Sequence, residues 1–172
     1  MALFPQSAIV LVVLCLLSAF DVYAGQARTA RGLFVETSGH RAELTAYAEA
    51  VESGGLQMAS GRLENVPAIA LSRDVRIFCR LPNWQPSRVM LGSAAVFEEN
   101  GGELRELQVA VRRVDVSAFE VHVTTFEHPG EVARLLAAAK VRPQEPAYLF
   151  VVMTSGDSER FYPVRLKRQA SR

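Results

Sequence analysis

Hydrophobic and polar residues alternate with a period of two over long parts of this chain, and that period is typical of half-buried β-strands. The clearest example spans residues 104–126. The apolar positions of its first part are Leu107, Val109 and Val111. The phase changes at Arg112-Arg113, which predicts a β-bulge or a bend, and the alternation restarts at Phe119. The pattern predicts a ribbon of antiparallel strands.

A helix and a final hairpin follow this ribbon. The helix is predicted over Glu131–Lys140 and ends before Pro143, because four apolar residues recur there at helical spacing. They are Val132, Leu135, Leu136 and Ala139. The continuous apolar run Tyr148–Met153 is followed by turn-forming residues and by a second strand that ends at Leu166, which predicts a β-hairpin.

The first third of the chain predicts shorter elements. Gly32–Thr37 is a strand candidate. Arg41–Tyr47 is either its return strand or a helix, because apolar residues from Leu44 to Val51 also fall at helical spacing. The tight turn between the two segments favours the hairpin. Residues 56–76 are expected to form short strands and loops, since glycine and proline interrupt them.

Two further strands are predicted in the middle of the chain. Val75–Leu81 alternates apolar residues with arginines, which places the arginines on one face. Val89–Glu98 is the second candidate. Asn100-Gly101 is a strong hairpin signal, so this strand is expected to pair with the ribbon that begins at Leu104.

Length and composition bound the fold and the partners. With 172 residues, of which 49% are hydrophobic, the chain can build one core and is not expected to be disordered. We expect a mainly β fold, an antiparallel sandwich or an open barrel, with one short α-helix; an α+β arrangement is the alternative. The expected domain spans residues 32–166, after a flexible lead-in at 25–31 and before a basic tail at 167–172. The net charge of +1 gives no reason to expect a nucleic-acid partner.

The N-terminal segment predicts export to the periplasm or the medium. Ala8–Phe20 is a mostly apolar run of thirteen residues. A membrane span needs about twenty, so this run has the length of a signal-peptide core. The residues up to Ala24 suit a signal peptidase, and residues 1–24 are therefore expected to be removed. An uncleaved anchor is the alternative, because the nearest basic residues, Arg28 and Arg31, follow the apolar run.

The sequence carries no catalytic or metal-binding signature. Removal of residues 1–24 leaves Cys79 as the only cysteine, which excludes an internal disulfide and is typical of a small buried hydrophobe. The histidines match no common ligand spacing; they are His40, His122 and His128. We therefore expect neither a metal nor a cofactor.

A binding module is the function that this sequence favours. Trp84 lies between Pro82 and Pro86, and a rigid loop would present its ring with little loss of entropy on binding. Filling one end of the core is the alternative role of this ring. Arginine suits carboxylate and phosphate contacts, so arginines on strands are the other candidate binding residues. They are Arg76, Arg80, Arg112 and Arg113.

The expected partner is a protein or another component of the cell envelope. Basic residues near the C-terminus either shield the last strand from edge pairing or contact anionic lipid; they are Arg165, Lys167, Arg168 and Arg172. Two other functions remain open. One is an envelope hydrolase whose site combines distant residues such as His122 and Glu120. The other is a membrane-tethered assembly subunit, if the N-terminal segment is retained.

Three short segments resemble exported bacterial proteins of unknown function. They are Gly32–Val35, Glu43-Leu44 and Pro143–Val151. The last is similar to the segment that enters a terminal β-hairpin in such chains. The resemblance implies a β-sandwich-like module, and it implies no activity and no site residues.

Overall fold

The computed structural model describes residues 31–37, 40–51, 55–58, 63–70, 75–100, 104–127, 129–142 and 144–167. Strands dominate this part of the chain. They are β1 (Gly32–Thr37), β2 (His40–Leu44), β3 (Ala48–Val51), β4 (Gly55–Met58), β5 (Ala68–Ala70), β6 (Val75–Arg80), β7 (Gln85–Gly92), β8 (Arg105–Glu106), β9 (Ala110–Arg113), β10 (Ala118–His122), β11 (Ala147–Ser155) and β12 (Ser158–Lys167). The α-helices are α1 (Ala94–Glu99) and α2 (Pro129–Ala138), and 3-10 turns lie at Leu63–Asn65 and Thr124–Glu127. The mainly β fold class is therefore confirmed.

The strands form two sheets. The five-stranded sheet has the order β2-β1-β6-β10-β9 and is antiparallel throughout. The larger sheet has the order β4-β3-β12-β11-β7-β8, and β5 pairs with the end of β12 in parallel. Two segments, residues 40–51 and 105–113, run from one sheet into the other. The arrangement is sandwich-like and is not closed into a barrel.

The main core lies between the two sheets. Inward residues alternate along β1 and β6, as the sequence predicts, and they pack against the facing side of β11 and β12. The fully enclosed side chains of this core include Val35, Ile77, Leu149, Val151 and Val164.

A second core covers the opposite side of the larger sheet. Phe150 and Phe161 point into it from the sheet, and Phe97 of α1 packs on them from outside. The rings of Phe97 and Phe150 are stacked with centroids 4.4 Å apart. β11 is therefore buried on both faces, which explains why its sequence is continuously apolar instead of alternating.

Tyr47 connects this second core to α1 and gives the fold a pH-dependent contact. Its hydroxyl donates a hydrogen bond of 3.0 Å to Glu98 Oε1. Burial, together with the hydrogen bond and the charge of Glu98, raises the pKa of Tyr47 from 10.0 to about 12. Because the folded protein holds this proton more tightly than the unfolded chain, the stabilisation is fully present below pH 10 and is lost as the pH rises through 12.

We therefore expect the free energy of unfolding to fall as the pH rises from 10 to 12. The Tyr47→Phe variant should show a shallower fall, measured by urea denaturation across this range. Part of the slope should remain in the variant, because burial also raises the pKa of Tyr162. An unchanged slope in Tyr47→Phe would contradict the assignment.

Several predicted elements are confirmed. Gly32–Thr37 pairs with β2, so the hairpin is right and a helix over Arg41–Val51 is wrong. The terminal hairpin is formed by β11 and β12, which pair from Ala147↔Leu166 to Ser155↔Ser158. The predicted helix at residues 131–140 is α2.

The prediction of one strand over Val89–Glu98 is wrong. The strand ends at Gly92, and Ser93 caps α1 by accepting a hydrogen bond from the Val96 N–H. Asn100 is the C-terminal cap of this helix and does not start a two-residue hairpin turn. The predicted pairing survives in part, since β7 pairs with β8 through Met90↔Glu106 and Leu91↔Arg105.

Of the two causes predicted for the phase change at Arg112-Arg113, a bulge or a bend, the bulge is wrong, because the β9–β10 ladder keeps one register. β9 ends at Arg113 and the chain turns, with the Val114 N–H donating to the Ala118 carbonyl at 2.8 Å. Val114 and Val116 lie in this turn and are exposed. The predicted signal peptide and most of the predicted lead-in and basic tail lie outside the described residues. Within the described part, no helix has the length and apolar character needed to cross a membrane.

Candidate functional site

The outward face of the five-stranded sheet carries a row of side chains that neither core uses. The strand register places Phe34 opposite Phe78, Phe78 opposite Glu120, and Glu120 opposite Arg112. The neighbours of Phe34, Phe78 and Glu120 along their strands pack in or against the main core, so these three side chains point outward. The pairing of Arg112 with Glu120 places Arg112 on the same face. Phe34 and Phe78 are each partly exposed and belong to neither core cluster. Together with Arg41 and Arg76, this row forms the aromatic–arginine face.

Arg41 lies over the aromatic pair. The centre of its guanidinium group is 4.2 Å from the ring centroid of Phe34 and 5.7 Å from that of Phe78. These distances are within the range of a cation–π interaction, which is about 6 Å. The cation is thereby held against the rings on a face that is partly open to solvent.

Glu120 fixes two further guanidinium groups. Glu120 is only 8% exposed. Oε1 accepts a hydrogen bond of 3.3 Å from Arg76 Nη1, and Oε2 accepts one from Arg112 Nη2. The side chain of Arg112 is nevertheless 69% exposed. The arrangement therefore presents an oriented, accessible guanidinium group in the same cross-strand row as the aromatic pair.

This geometry bears on the alternative hydrolase site. Glu120 and His122 lie on one face of β10, two residues apart, which corresponds to about 6–7 Å along a strand. Both carboxylate oxygens of Glu120 accept hydrogen bonds from arginines. The carboxylate thus serves as an anchor for two guanidinium groups.

Arg80 and Arg113 both support the turn between β9 and β10. Arg80 forms an ion pair with Asp115. Arg113 Nε and Nη2 donate to the carbonyl oxygens of Asp115 and Val116 at 3.1 and 3.0 Å. A hydrogen bond from the Ser117 N–H, followed by the charge of Arg80, lowers the pKa of Asp115. These two arginines are next to the aromatic–arginine face, but their contacts hold the turn.

Trp84 lies in a different environment from the predicted arginines. It follows a tight turn in which Asn83 has a φ of 68°. The ring is partly buried against the main core, and the guanidinium group of Arg160 lies 4.3 Å from its centroid. Arg160 in turn donates to Glu49 at 3.0 Å. The structure thus places Trp84 against the larger sheet, in contact with residues of its own chain.

The sequence interpretation did not select Phe34, Phe78 or Arg41. A signal was present for Phe78, since it occupies the outward parity of β6 together with Arg76 and Arg80. A large apolar residue that shares the outward-facing positions of a strand with arginines indicates an apolar patch on a charged surface. Which aromatic lies beside it depends on strand pairing between residues far apart in the chain.

The remaining reactive residues form no further centre among those described. Cys79 is buried in the main core with 1% exposure, and burial raises the pKa of its thiol. In the described part of the chain, no group of three or more histidine, cysteine, aspartate or glutamate residues could hold a metal ion. His40 is exposed at the start of β2, and His128 lies outside the described residues. Arg165 and Lys167 are exposed on β12. The rest of the basic tail, residues 168–172, also lies outside the described residues.

Comparison of this chain with known proteins found no matching family model, no matching curated protein and no matching solved structure.

Proposed function

We propose that this chain is an exported, non-enzymatic binding module that holds an acidic segment of a partner protein on its aromatic–arginine face. The export step rests on the apolar run and the cleavage pattern of residues 1–24. One observation carries the binding function: Arg112, whose guanidinium group is both oriented by Glu120 and 69% exposed, lies in the same cross-strand row as the aromatic pair Phe34 and Phe78.

The physical argument rests on pre-organisation. A free arginine side chain loses rotamer entropy when it is fixed in a complex. Arg112 has already lost much of that freedom, because Glu120 holds one of its nitrogens. The planar guanidinium group has further donors and can bind a carboxylate. The rings of Phe34 and Phe78, in the same row across the sheet, provide apolar area that a partner can cover.

A comparison of matched variants tests this function. The double variant Phe78→Ala/Arg112→Ala removes apolar area and a fixed charge from the face. Arg165→Ala removes an exposed arginine from the larger sheet and serves as the control. We expect cross-linking in the native cell envelope, read by mass spectrometry, to recover the same partner with the wild type and the control. The double variant should bind that partner at least about 30-fold more weakly, since central aromatic and arginine contacts contribute about 2 kcal/mol or more.

The stability of each variant is measured alongside binding, so that loss of the fold is not mistaken for loss of the site. Recovery of the same partner by the folded double variant would overturn the proposed site.

A further inference from the structure

We propose that β9 is a docking edge, to which the partner adds an extended segment as a sixth strand of the five-stranded sheet. The added segment has an acidic–acidic–apolar pattern. This inference rests on the proposed binding function and specifies the chemistry of the partner.

The first observation concerns exposure. β9 is the terminal strand of its sheet in the structure, and its four residues are all exposed. Among the described residues, the large hydrophobic side chains with high exposure are Val111 at 49%, Val114 at 50% and Val116 at 85%. All three lie on β9 or in the turn that follows it. Edge strands normally avoid exposed apolar residues because these promote strand pairing, so their concentration here indicates a binding edge.

The second observation is the direction in which the backbone N–H and C=O groups of β9 point. Val114 donates its N–H to Ala118, and the pairs along the ladder continue as Arg113↔Phe119, Arg112↔Glu120 and Val111↔Val121. In an antiparallel ladder, hydrogen-bonded and non-hydrogen-bonded pairs alternate. Arg112 is therefore bonded to β10, whereas Val111 and Arg113 direct their N–H and C=O groups away from it. An added strand would bond to these two residues.

The third observation is the chemistry of the rows that cross the sheet. Ile77, Val121 and Val111 form an apolar cross-strand row on the side of the sheet opposite Glu120 and Arg112; Ile77 and Val121 are buried, and Val111 at the edge is 49% exposed. On the outward face, Glu120 and Arg112 alternate in charge. Cross-strand neighbours of like character or opposite charge stabilise a sheet.

Continuing these rows by one strand defines the partner. An apolar residue is favoured opposite Val111, and acidic residues are favoured opposite Arg112 and Arg113. All the existing pairs of this sheet are antiparallel. A sixth strand that continues this arrangement meets the arginines first and then the valine, which gives the order acidic, acidic, apolar.

A second copy of this chain fits the edge less well. Residues 109–114 contain two arginines and no acidic residue. Pairing of two copies through β9 would therefore offer no carboxylate to Arg112 or Arg113. A register centred on either arginine would also place like charges directly opposite each other, which destabilises a sheet. Charge complementarity favours a different, acidic strand.

A peptide-binding experiment tests the inference. The probe is a labelled extended peptide with a Val-Glu-Glu-Val core, and the matched control peptide has Val-Lys-Lys-Val. Fluorescence anisotropy should show at least about tenfold tighter binding of the acidic peptide, which corresponds to about 1.4 kcal/mol. Val111→Pro removes an N–H that points away from β10 and leaves the ladder bonds to β10 in place. It should weaken binding of the acidic peptide by about tenfold. Arg112→Gln should reduce the preference for the acidic peptide over the basic one.

Equal binding of the two peptides, or unchanged binding to the folded Val111→Pro variant, would overturn the inference. A concentration-dependent dimer that Val111→Pro abolishes, seen by analytical ultracentrifugation of a protein that does not bind the acidic peptide, would instead identify a second copy as the occupant. The envelope cross-linking experiment separates this inference from the proposed function. If the Val111→Pro variant still binds the partner that the Phe78→Ala/Arg112→Ala variant no longer binds, the proposed binding face is supported and the addition of a strand to β9 is contradicted.

Discussion

Replacement of Phe150 by alanine is expected to lower the free energy of unfolding by about 3–5 kcal/mol. Phe150 is completely buried and stacks on Phe97 with an angle of 1° between the rings. Truncation removes apolar area and leaves a cavity between the larger sheet and α1. The rigid strand on one side of that cavity limits how far it can collapse.

Urea denaturation measures this loss, and Phe34→Ala is the matched control. Phe34 is the same residue type but lies on the outward face and belongs to neither core cluster. Its truncation should cost about 1 kcal/mol. Similar losses for the two variants would contradict the assignment of Phe150 to a second core.

The second large effect distinguishes the two faces of one strand. Ile77→Asp places a carboxylate between the sheets, where the structure has a fully buried side chain. An unpaired buried charge costs several kcal/mol, so this variant is expected to lose more than about 4 kcal/mol and to be unfolded or nearly so. Phe78→Asp changes the adjacent residue, whose side chain points outward, and should leave a folded protein.

Circular dichroism and thermal unfolding compare these two variants directly. If the Phe78→Asp variant is unfolded and the Ile77→Asp variant is folded, the assignment of the inward and outward faces of β6 is wrong. The folded Phe78→Asp protein would also provide a second probe of the binding face, because it adds a negative charge where an acidic partner is expected.

Part of the fold could be predicted from local patterns. The alternation along β6 and the turn before β12 depend on adjacent residues, and both elements form as expected. The sequence does not predict the helix α1, because the apolar residues of Val89–Glu98 fit the strand period of two as well as the helical period of 3.6. Ser93 is a good helix cap and marked the boundary, but the burial of Phe97 depends on its stacking with Phe150, far along the chain.

The site was less predictable for the same reason. Arg76 and Arg112 are predicted as candidate binding arginines on strands, but their common partner, Glu120, follows only from the register of three strands. The pairing of Phe34 with Phe78 likewise joins residues of β1 and β6, which have four other strands between them in the sequence. Periodicity assigns a side chain to a face of its own strand, whereas neighbours across a sheet depend on which strands pair.

The position of β12 has a consequence for folding. This strand is late in the sequence but central in the larger sheet, where it pairs with β11 on one side and with β3 and β5 on the other. β3 therefore lacks its partner in β12 until residue 161 has been synthesised, and β5 lacks its partner until residue 167 has been synthesised. Contacts between distant parts of a chain close slowly, because the intervening loop must first lose entropy. The nascent chain should therefore remain sensitive to protease until β12 is complete and should gain its resistance in a single late step.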